Sequence, residues 1–243
     1  MTEPLPAGRP APVGETAPPG EAAPRAAGAA PWAIWCDFGG VLTSSIAVAF
    51  RDLVAAVGVP AHELRRAFDQ VAATWGLRTL GPLERGVVSQ HDWGILVTDA
   101  LGTAHPPRID LSRFGDHWYA GRTLESVMVD GLLRARAAGL RVGLLTNSVA
   151  EWEPLRRALL PDWSVFESII NSHEIGIGKP DPAVYDLAER TFGQPGPGCV
   201  LIDDAAANCE AARRRGWTAI HHRSVADTLA ELAAVTGVPE LAG

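Results

Sequence analysis

Acidic residues directly follow apolar stretches in this sequence, and this arrangement limits the folds that the chain can adopt. The apolar stretch at residues 32–36 leads into Asp37, and the stretch at residues 199–202 leads into Asp203 and Asp204. Continuous apolar stretches of this length are typical of the buried strands of a parallel sheet. In open α/β sheets, side chains at the carboxyl ends of the strands meet in one crevice. The sequence therefore predicts a parallel α/β sheet with a polar site at one edge.

The second half of the chain continues this alternation of strands and helices. An apolar strand is predicted at residues 140–145, ending at Thr146, and shorter strands at residues 168–170 and 217–220. Between and after these strands, amphipathic or capped segments predict helices at residues 124–138, 182–191, 205–215 and 225–235. This order predicts a Rossmann-like parallel sheet with helices on both faces.

The segment between the first two predicted strands has a helical pattern instead. Apolar residues recur at helical spacing in two stretches, each followed by a glycine that would stop the helix, at residues 46–57 and 62–75. Ser89, three residues before Asp92, resembles a capping box and predicts a further helix start. We therefore expect an inserted α-helical cap.

The first 31 residues differ in composition from the rest of the chain. They contain eight prolines and nine alanines, and they lack the continuous apolar segment of a signal peptide or a membrane span. High Pro and Ala content resists packing, so we expect residues 1–31 to be a disordered tail; the alternative is an interaction arm, because Pro-rich segments can dock in aromatic grooves. The predicted domains are an α/β core at residues 32–44 and 125–243, and the helical cap at residues 45–124.

Composition also excludes several classes of function. With a net charge of −7, the chain favours neither nucleic acid nor an anionic membrane as a partner. Cys36, Cys199 and Cys209 are too few and too scattered for a disulfide framework or a CxxC metal site. We therefore expect a cytoplasmic protein whose partner is a small molecule, and its oligomeric state stays open.

Four motifs carry a resemblance to a known family. In chain order they are DFGGVLTSS, GLLTNS, GKPDPAVY and VLIDDAAANCEAA. They resemble motifs one to four of the haloacid dehalogenase superfamily and stand in the order of that family. The helical insert looks like the small cap found between motifs one and two in many members. Its fragment LERGVVSQHDW is similar to the cap of the phosphatase domain of soluble epoxide hydrolases.

The resemblance implies a Mg²⁺-dependent phosphatase with Asp37 as the nucleophile that forms an aspartyl phosphate. It implies a metal site made of the Asp37 carboxylate, the Gly39 carbonyl, Asp204 and Asp203, where Asp203 holds a water or the lysine. The phosphate would be bound by Lys179, the Thr146 hydroxyl and nearby groups of Phe38, Gly39, Gly40 and Asn147. Asn208, one helical turn beyond Asp204, would orient Asp203 or a metal-bound water. Cations are needed here because the attacked phosphoryl group is itself negative.

The lysine content of the chain strengthens the assignment of Lys179. The sequence contains twenty arginines but only one lysine, so arginine supplies every other permanently cationic side chain. A compact, flexible ammonium group is not equivalent to a planar guanidinium beside an aspartate and a phosphate. Lys179 therefore fits a specific role better than that of an exposed loop lysine.

Gly39 departs from the pattern of the family that these motifs resemble. Most phosphatases of that family have a second aspartate two residues after the nucleophile, which protonates the leaving alcohol. General acid catalysis of this kind contributes about 10²–10⁴ in rate. We therefore expect a substrate with a good leaving group, such as an anomeric sugar phosphate or an acyl phosphate, or a proton supplied by a water or a cap residue.

Two other functions stay open from the sequence. One is a regulatory or phosphate-binding module that has little or no hydrolytic activity, which Gly39 and the Pro-rich tail favour. The other is a metal-free dehalogenase, which is disfavoured because it has no use for the adjacent carboxylates of Asp203 and Asp204.

Overall fold

The computed structural model describes residues 32–242, so the predicted disordered tail lies outside the described residues. Within them, five parallel strands form one sheet with the order β3-β2-β1-β4-β5. The strands are β1 (Ala33–Cys36), β2 (Arg141–Thr146), β3 (Ser168–Asn171), β4 (Cys199–Asp203) and β5 (Thr218–His221). The three central strands are apolar and almost fully buried, as expected for a sheet covered on both faces.

The longer helices follow the order that the sequence pattern predicts, and several short helices add to them. Five lie between β1 and β2: α1 (Ile46–Val57), α2 (Ala61–Ala72), α3 (Gly81–Glu84), α4 (Gln90–Leu101) and α5 (Phe114–Tyr119). The others accompany the sheet: α6 (Ser126–Ala137), α7 (Glu153–Leu159), α8 (Ser172–Ile175), α9 (Pro182–Phe192), α10 (Ala206–Arg214) and α11 (Val225–Thr236). The predicted fold class, an α/β sheet with a helical insert after the first strand, is confirmed.

Apolar side chains cover both faces of the sheet. On one face, α6 and α11 pack Met128, Leu132 and Leu229 against the strands. On the other face, α9 and α10 contribute a second cluster, in which Trp35 of β1 stacks on Phe192 with 4.4 Å between ring centroids. Burial on both faces explains why the strand sequences are continuously apolar and do not alternate.

The inserted helices have their own apolar cluster, rich in aromatic side chains. Phe114 contacts Phe68 at 6.2 Å and Trp152 at 5.3 Å between ring centroids, and Trp118 stacks on Trp152 at 5.9 Å. Trp152 follows β2, so it anchors the inserted helices to the sheet. Gln90 strengthens this anchor, since its Oε1 accepts from the indole N–H of Trp152 at 2.6 Å.

The two segments that join the inserted helices to the sheet run side by side. Thr43 and Leu124 form an isolated antiparallel bridge, and the N–H of Ser44 donates to the carbonyl of Thr123 at 3.0 Å. The segment that enters the helical insert and the segment that leaves it are thus paired next to the first strand. None of the helices in residues 32–242 is long and apolar enough to cross a membrane.

Candidate active site

The pairing of the central strands brings the acidic residues to one edge of the sheet. Cys36 of β1 lies opposite Ile202 of β4, and the backbone N–H of Asp37 donates to the carbonyl of Ile202 at 2.9 Å. Asp37 is therefore the first residue beyond β1, beside Asp203 at the end of β4. Thr146 ends the neighbouring strand β2. Three of the predicted site residues meet because parallel strands end at the same edge.

Lys179 links two of the carboxylates. Its Nζ lies 3.1 Å from Oδ1 of Asp37 and 2.5 Å from Oδ2 of Asp203. The side chain of Lys179 is 1% exposed and that of Asp203 is fully buried. Burial opposes the charge of the lysine, but the carboxylates of Asp203 and Asp37 outweigh it and raise the pKa of Lys179. Lys179 is therefore a permanent cation beside the predicted nucleophile.

Asp203 uses both of its oxygens within the protein. Oδ2 accepts from the lysine, and Oδ1 accepts from the N–H of Ala205 at 2.9 Å and from Nδ2 of Asn208 at 3.0 Å. Asn208 lies in the first turn of α10 and is itself positioned by Tyr185, whose hydroxyl donates to its carbonyl at 2.9 Å. Asp203 is thus placed to hold Lys179 in position.

The loop that carries Lys179 is held by Asn147. Oδ1 of Asn147 accepts from the backbone N–H of Lys179 at 2.9 Å, and its Nδ2 donates to the carbonyl of the same residue at 2.8 Å. The sequence assigned Asn147 to substrate binding, and the structure places its side chain on the backbone of the lysine. Thr146, buried at 3% exposure, lines the same cavity as Asp37. Asn147, in the motif GLLTNS, therefore holds the loop of the motif GKPDPAVY, which carries Lys179.

Asp204 packs directly against the glycines after the nucleophile position. Gly40 has φ +79°, and a Cβ added to it would lie 2.3 Å from Oδ2 of Asp204. A side chain at position 40 is excluded for both reasons. Burial, followed by the charges of Asp37 and Asp203, raises the pKa of Asp204 to about 7. Within residues 32–242, no cationic side chain forms an ion pair with Asp204.

The acidic cluster fits a divalent cation. One oxygen of each of Asp37, Asp203 and Asp204 lies within 4.8 Å of the others, and the ammonium of Lys179 contacts two of the three carboxylates, those of Asp37 and Asp203. Mg²⁺ prefers carboxylate, carbonyl and water oxygens and needs only one or two carboxylates from the protein. The raised pKa of Asp204 marks the charge that such a cation would neutralise. The donor set therefore fits Mg²⁺ well.

A cavity of about 650 Å³ lies between the sheet edge and the inserted helices. Asp37, Gly39, Thr146 and Asp204 line its floor, together with Phe38. Its walls are largely apolar and aromatic, with Ile46, Phe50, Phe68, Trp118, Tyr119 and Trp152 as the main contributors. The size suits a small organic molecule rather than a polymer.

Glu84 is a residue of this cavity that the sequence analysis did not select. The hydroxyl of Ser172 donates to its carbonyl at 2.5 Å, so the end of α3 is fixed on the core. Burial, followed by the charge of Asp37, raises the pKa of Glu84 to about 7, while Lys179 works against this shift. The only signal for Glu84 in the sequence was its place in the LERG fragment. Arg122 also lines the cavity, and no motif marked it.

The raised pKa values predict how pH affects stability. A carboxyl whose pKa is higher in the folded protein than in the unfolded chain destabilises the fold as the pH rises between the two values. For Asp204 and Glu84 this window extends from their ordinary values, near 4, to about 7. We therefore expect the metal-free protein to melt at a lower temperature at about pH 8 than at about pH 5.5.

Thermal denaturation at both pH values, with and without Mg²⁺, measures this effect. Mg²⁺ should stabilise more at the higher pH, because it no longer competes with a proton on Asp204. Asp204→Asn is the control, and it should lose most of the response to the metal. A metal-free protein that is equally stable at both pH values contradicts the prediction.

The strand order, the polar cluster at the carboxyl edge and the helical insert together define the class of this protein, a Rossmann-like α/β fold with a candidate site at the edge of the sheet. The family model for haloacid dehalogenase-like hydrolases matches residues 33–216. The chain belongs to this family.

Two curated relatives illustrate the range within the family. The chain is 26% identical to mouse bifunctional epoxide hydrolase 2 over 216 residues, which is 83% of this chain and 38% of the relative. It is 36% identical to a phosphatase of Mycobacterium tuberculosis over 91 residues, 36% of this chain and 41% of that protein. The matched region thus spans less than half the length of either relative.

A solved structure supports the same fold. A haloacid dehalogenase family enzyme from Bacteroides thetaiotaomicron, in complex with magnesium, superposes with a TM-score of 0.60 at 18% identity. The match covers 80% of this chain and 94% of that enzyme. At this identity the likeness shows the fold alone.

Proposed function

We propose that this chain is a magnesium-dependent phosphatase that acts on a small phosphorylated metabolite through an aspartyl phosphate on Asp37. The observation that carries the proposal is the position of Asp37, 3.1 Å from the ammonium of Lys179 and beside Asp203 and Asp204 at the floor of the cavity. A phosphatase among the relatives supports the reaction class. A cytoplasmic location is part of the proposal, and all three cysteines are buried.

The Asp37 carboxylate, the Gly39 carbonyl and Asp204 would hold the Mg²⁺. When bound, the metal would neutralise charge on the phosphoryl oxygens and on the attacking carboxylate. Asp203, with both oxygens already engaged, would act by holding Lys179. Lys179, the Thr146 hydroxyl and backbone amides after Asp37 would bind the remaining phosphoryl oxygens.

The reaction proceeds in two displacements. A carboxylate oxygen of Asp37 attacks phosphorus, the ester P–O bond breaks, and the leaving oxygen takes the electron pair. Water then attacks the phosphorus of the aspartyl phosphate, which releases inorganic phosphate and regenerates the carboxylate. Glu84 lines the same cavity as Asp37 and would accept a proton from this water, since burial raises its pKa to about 7, which suits a general base near neutral pH.

A phosphate-release screen over phosphate esters and acyl phosphates tests the proposal. We expect release that depends on Mg²⁺ and that is faster for activated leaving groups than for simple alkyl phosphates, since Gly39 provides no acid. Removal of the metal by a chelator should abolish release, and Asp37→Asn serves as the inactive control. Equal rates on activated and alkyl esters contradict the expected role of Gly39.

The alternative is a phosphate-binding or regulatory module with little or no turnover. Gly39 is the observation that favours it, because the site keeps its lysine and carboxylates without the usual proton donor. Such a module would bind inorganic phosphate in the presence of Mg²⁺ yet release none from any ester or acyl phosphate. That combination of results replaces the phosphatase proposal with the binding module.

A further inference from the structure

Arg122 is a buried cation that faces the cavity. It lies in the turn between α5 and the bridge at Leu124, and it is only 7% exposed. One terminal nitrogen donates to the carbonyl of Ser44 at 3.1 Å. Its guanidinium lies over the ring of Tyr119, 5.3 Å from the centroid, and 6.0 Å from that of Trp118. These contacts fix the direction of the side chain.

The guanidinium of Arg122 has no anionic side chain as a partner in the described part of the chain. No carboxylate of residues 32–242 forms an ion pair with it, and its Nε is buried without a hydrogen-bond acceptor. Burial lowers the pKa of Arg122, and the neighbouring Tyr119, followed by the more distant charges of Asp37 and Asp204, opposes that shift. A buried guanidinium is costly unless an anion compensates it. The cavity can therefore bind a negatively charged group next to the guanidinium of Arg122.

Gly39 lies next to the guanidinium of Arg122. A Cβ added to Gly39 would lie 3.8 Å from a terminal nitrogen of Arg122 and 3.0 Å from Cδ1 of Ile46. The resemblance to the haloacid dehalogenase superfamily implies that a side chain at this position would protonate the leaving oxygen. Arg122 therefore stands where the absent carboxyl group would end. The guanidinium of Arg122 is a permanent hydrogen-bond donor, whereas a carboxyl group at position 39 could lose its proton.

The walls beyond Arg122 match a flat, apolar group. Phe50, Phe68, Trp118 and Trp152 line the cavity, together with polar side chains that include Arg65. Stacked and edge-on contacts with such rings favour planar ligands. The aromatic rings of the cavity therefore favour a substrate with a planar, apolar group.

We propose that Arg122 stabilises the leaving oxygen as an anion, and that the substrate is a monophosphate ester of an aromatic or enolic hydroxyl. This inference rests on the proposed function and names its substrate class. As Asp37 bonds to phosphorus, the ester P–O bond breaks and its electron pair stays on the leaving oxygen. Arg122 donates hydrogen bonds to that anion, which takes its proton from water after it departs. No acid at position 39 is then required.

A series of aryl phosphates with leaving groups of increasing basicity tests this role. Arg122→Met should lower kcat/KM about 10²-fold on phenyl phosphate but less than about tenfold on p-nitrophenyl phosphate, whose leaving group needs less stabilisation. Arg122→Lys should fall between the two enzymes. Arg51→Met, a change at an exposed arginine of α1, is the matched control and should behave as the unmodified protein. Equal losses on both esters overturn the inference.

A second measurement does not depend on turnover. p-Nitrophenol bound to the Mg²⁺-loaded protein with inorganic phosphate should ionise about one pH unit below the free phenol, because a guanidinium stabilises the phenolate. Its visible absorbance reports this directly, and Arg122→Met should abolish the shift while melting temperatures verify folding. No shift in the unmodified protein overturns the role of Arg122. No phosphate release from any ester, with the shift present, instead rejects the proposed function alone.

Discussion

Replacing Asp37 by Asn is expected to reduce phosphate release by about 10⁴-fold or more, to the background rate. The amide of asparagine cannot form an acyl phosphate, so both displacements lose their shared intermediate. The fold should survive, because Lys179 keeps its contact with Asp203 at 2.5 Å. Burial raises the pKa of Asp37, so replacing it by a neutral side chain of the same shape adds no new charge to the core.

The measurement is a single-turnover assay with phenyl and p-nitrophenyl phosphate, with the melting temperature followed in parallel. Asp110→Asn is the matched control, since Asp110 caps a short turn through its side chain and asparagine caps equally well. Residual activity in Asp37→Asn that matches this control shows that Asp37 is not the nucleophile. A retained fold with no release supports the assignment.

Replacing Lys179 by Met is expected to lower the free energy of unfolding by about 3–5 kcal/mol and to abolish turnover as well. Lys179 lies 3.1 Å from Asp37 and 2.5 Å from Asp203, and its loss leaves the buried carboxylate of Asp203 and the partly buried one of Asp37 without a cation. These carboxylates take up protons more readily at low pH, so the destabilisation should be smaller at about pH 5.5 than at about pH 8. Urea denaturation at both pH values measures it.

Two comparisons sharpen the test of Lys179. Arg66→Met removes an exposed arginine that pairs with Glu63 at 2.7 Å, and it should cost at most about 1 kcal/mol. In the Asp37→Asn background, Lys179→Met should cost less than in the unmodified protein, because one of the two carboxylates is already neutral. An equal cost in both backgrounds would mean that the lysine acts through Asp203 alone.

Local sequence patterns predicted much of the fold. Helix α1 begins and ends at the predicted residues, Ile46 and Val57, because apolar spacing, a serine cap and Gly58 all act within one segment. Ser89 caps α4 through its side chain as predicted, accepting from the N–H of Asp92. The short helices α3, α5, α7 and α8 were missed. Each has seven residues or fewer, too short for a periodic pattern, and tertiary packing stabilises such helices.

The sequence also predicted which polar residues meet at the sheet edge. Asp37, Thr146 and Asp203 each follow or end an apolar strand, and parallel pairing then leaves little freedom in where they lie. The contact of Asn208 with Asp203 follows from helical spacing in the same way. The roles assigned to these residues stay predictions until the variants are measured.

The sequence by itself determined the sheet, the inserted helices and the residues at the strand ends, because strand and helix periodicity are local properties of the chain. Only the tertiary structure decided what surrounds Gly39. Arg122 lies 83 positions further along the chain, yet its guanidinium is 3.8 Å from the place of the missing Cβ. Glu84 reaches the same cavity through the docking of α3 on Ser172. Such contacts depend on how separate helices pack, and no local pattern encodes them.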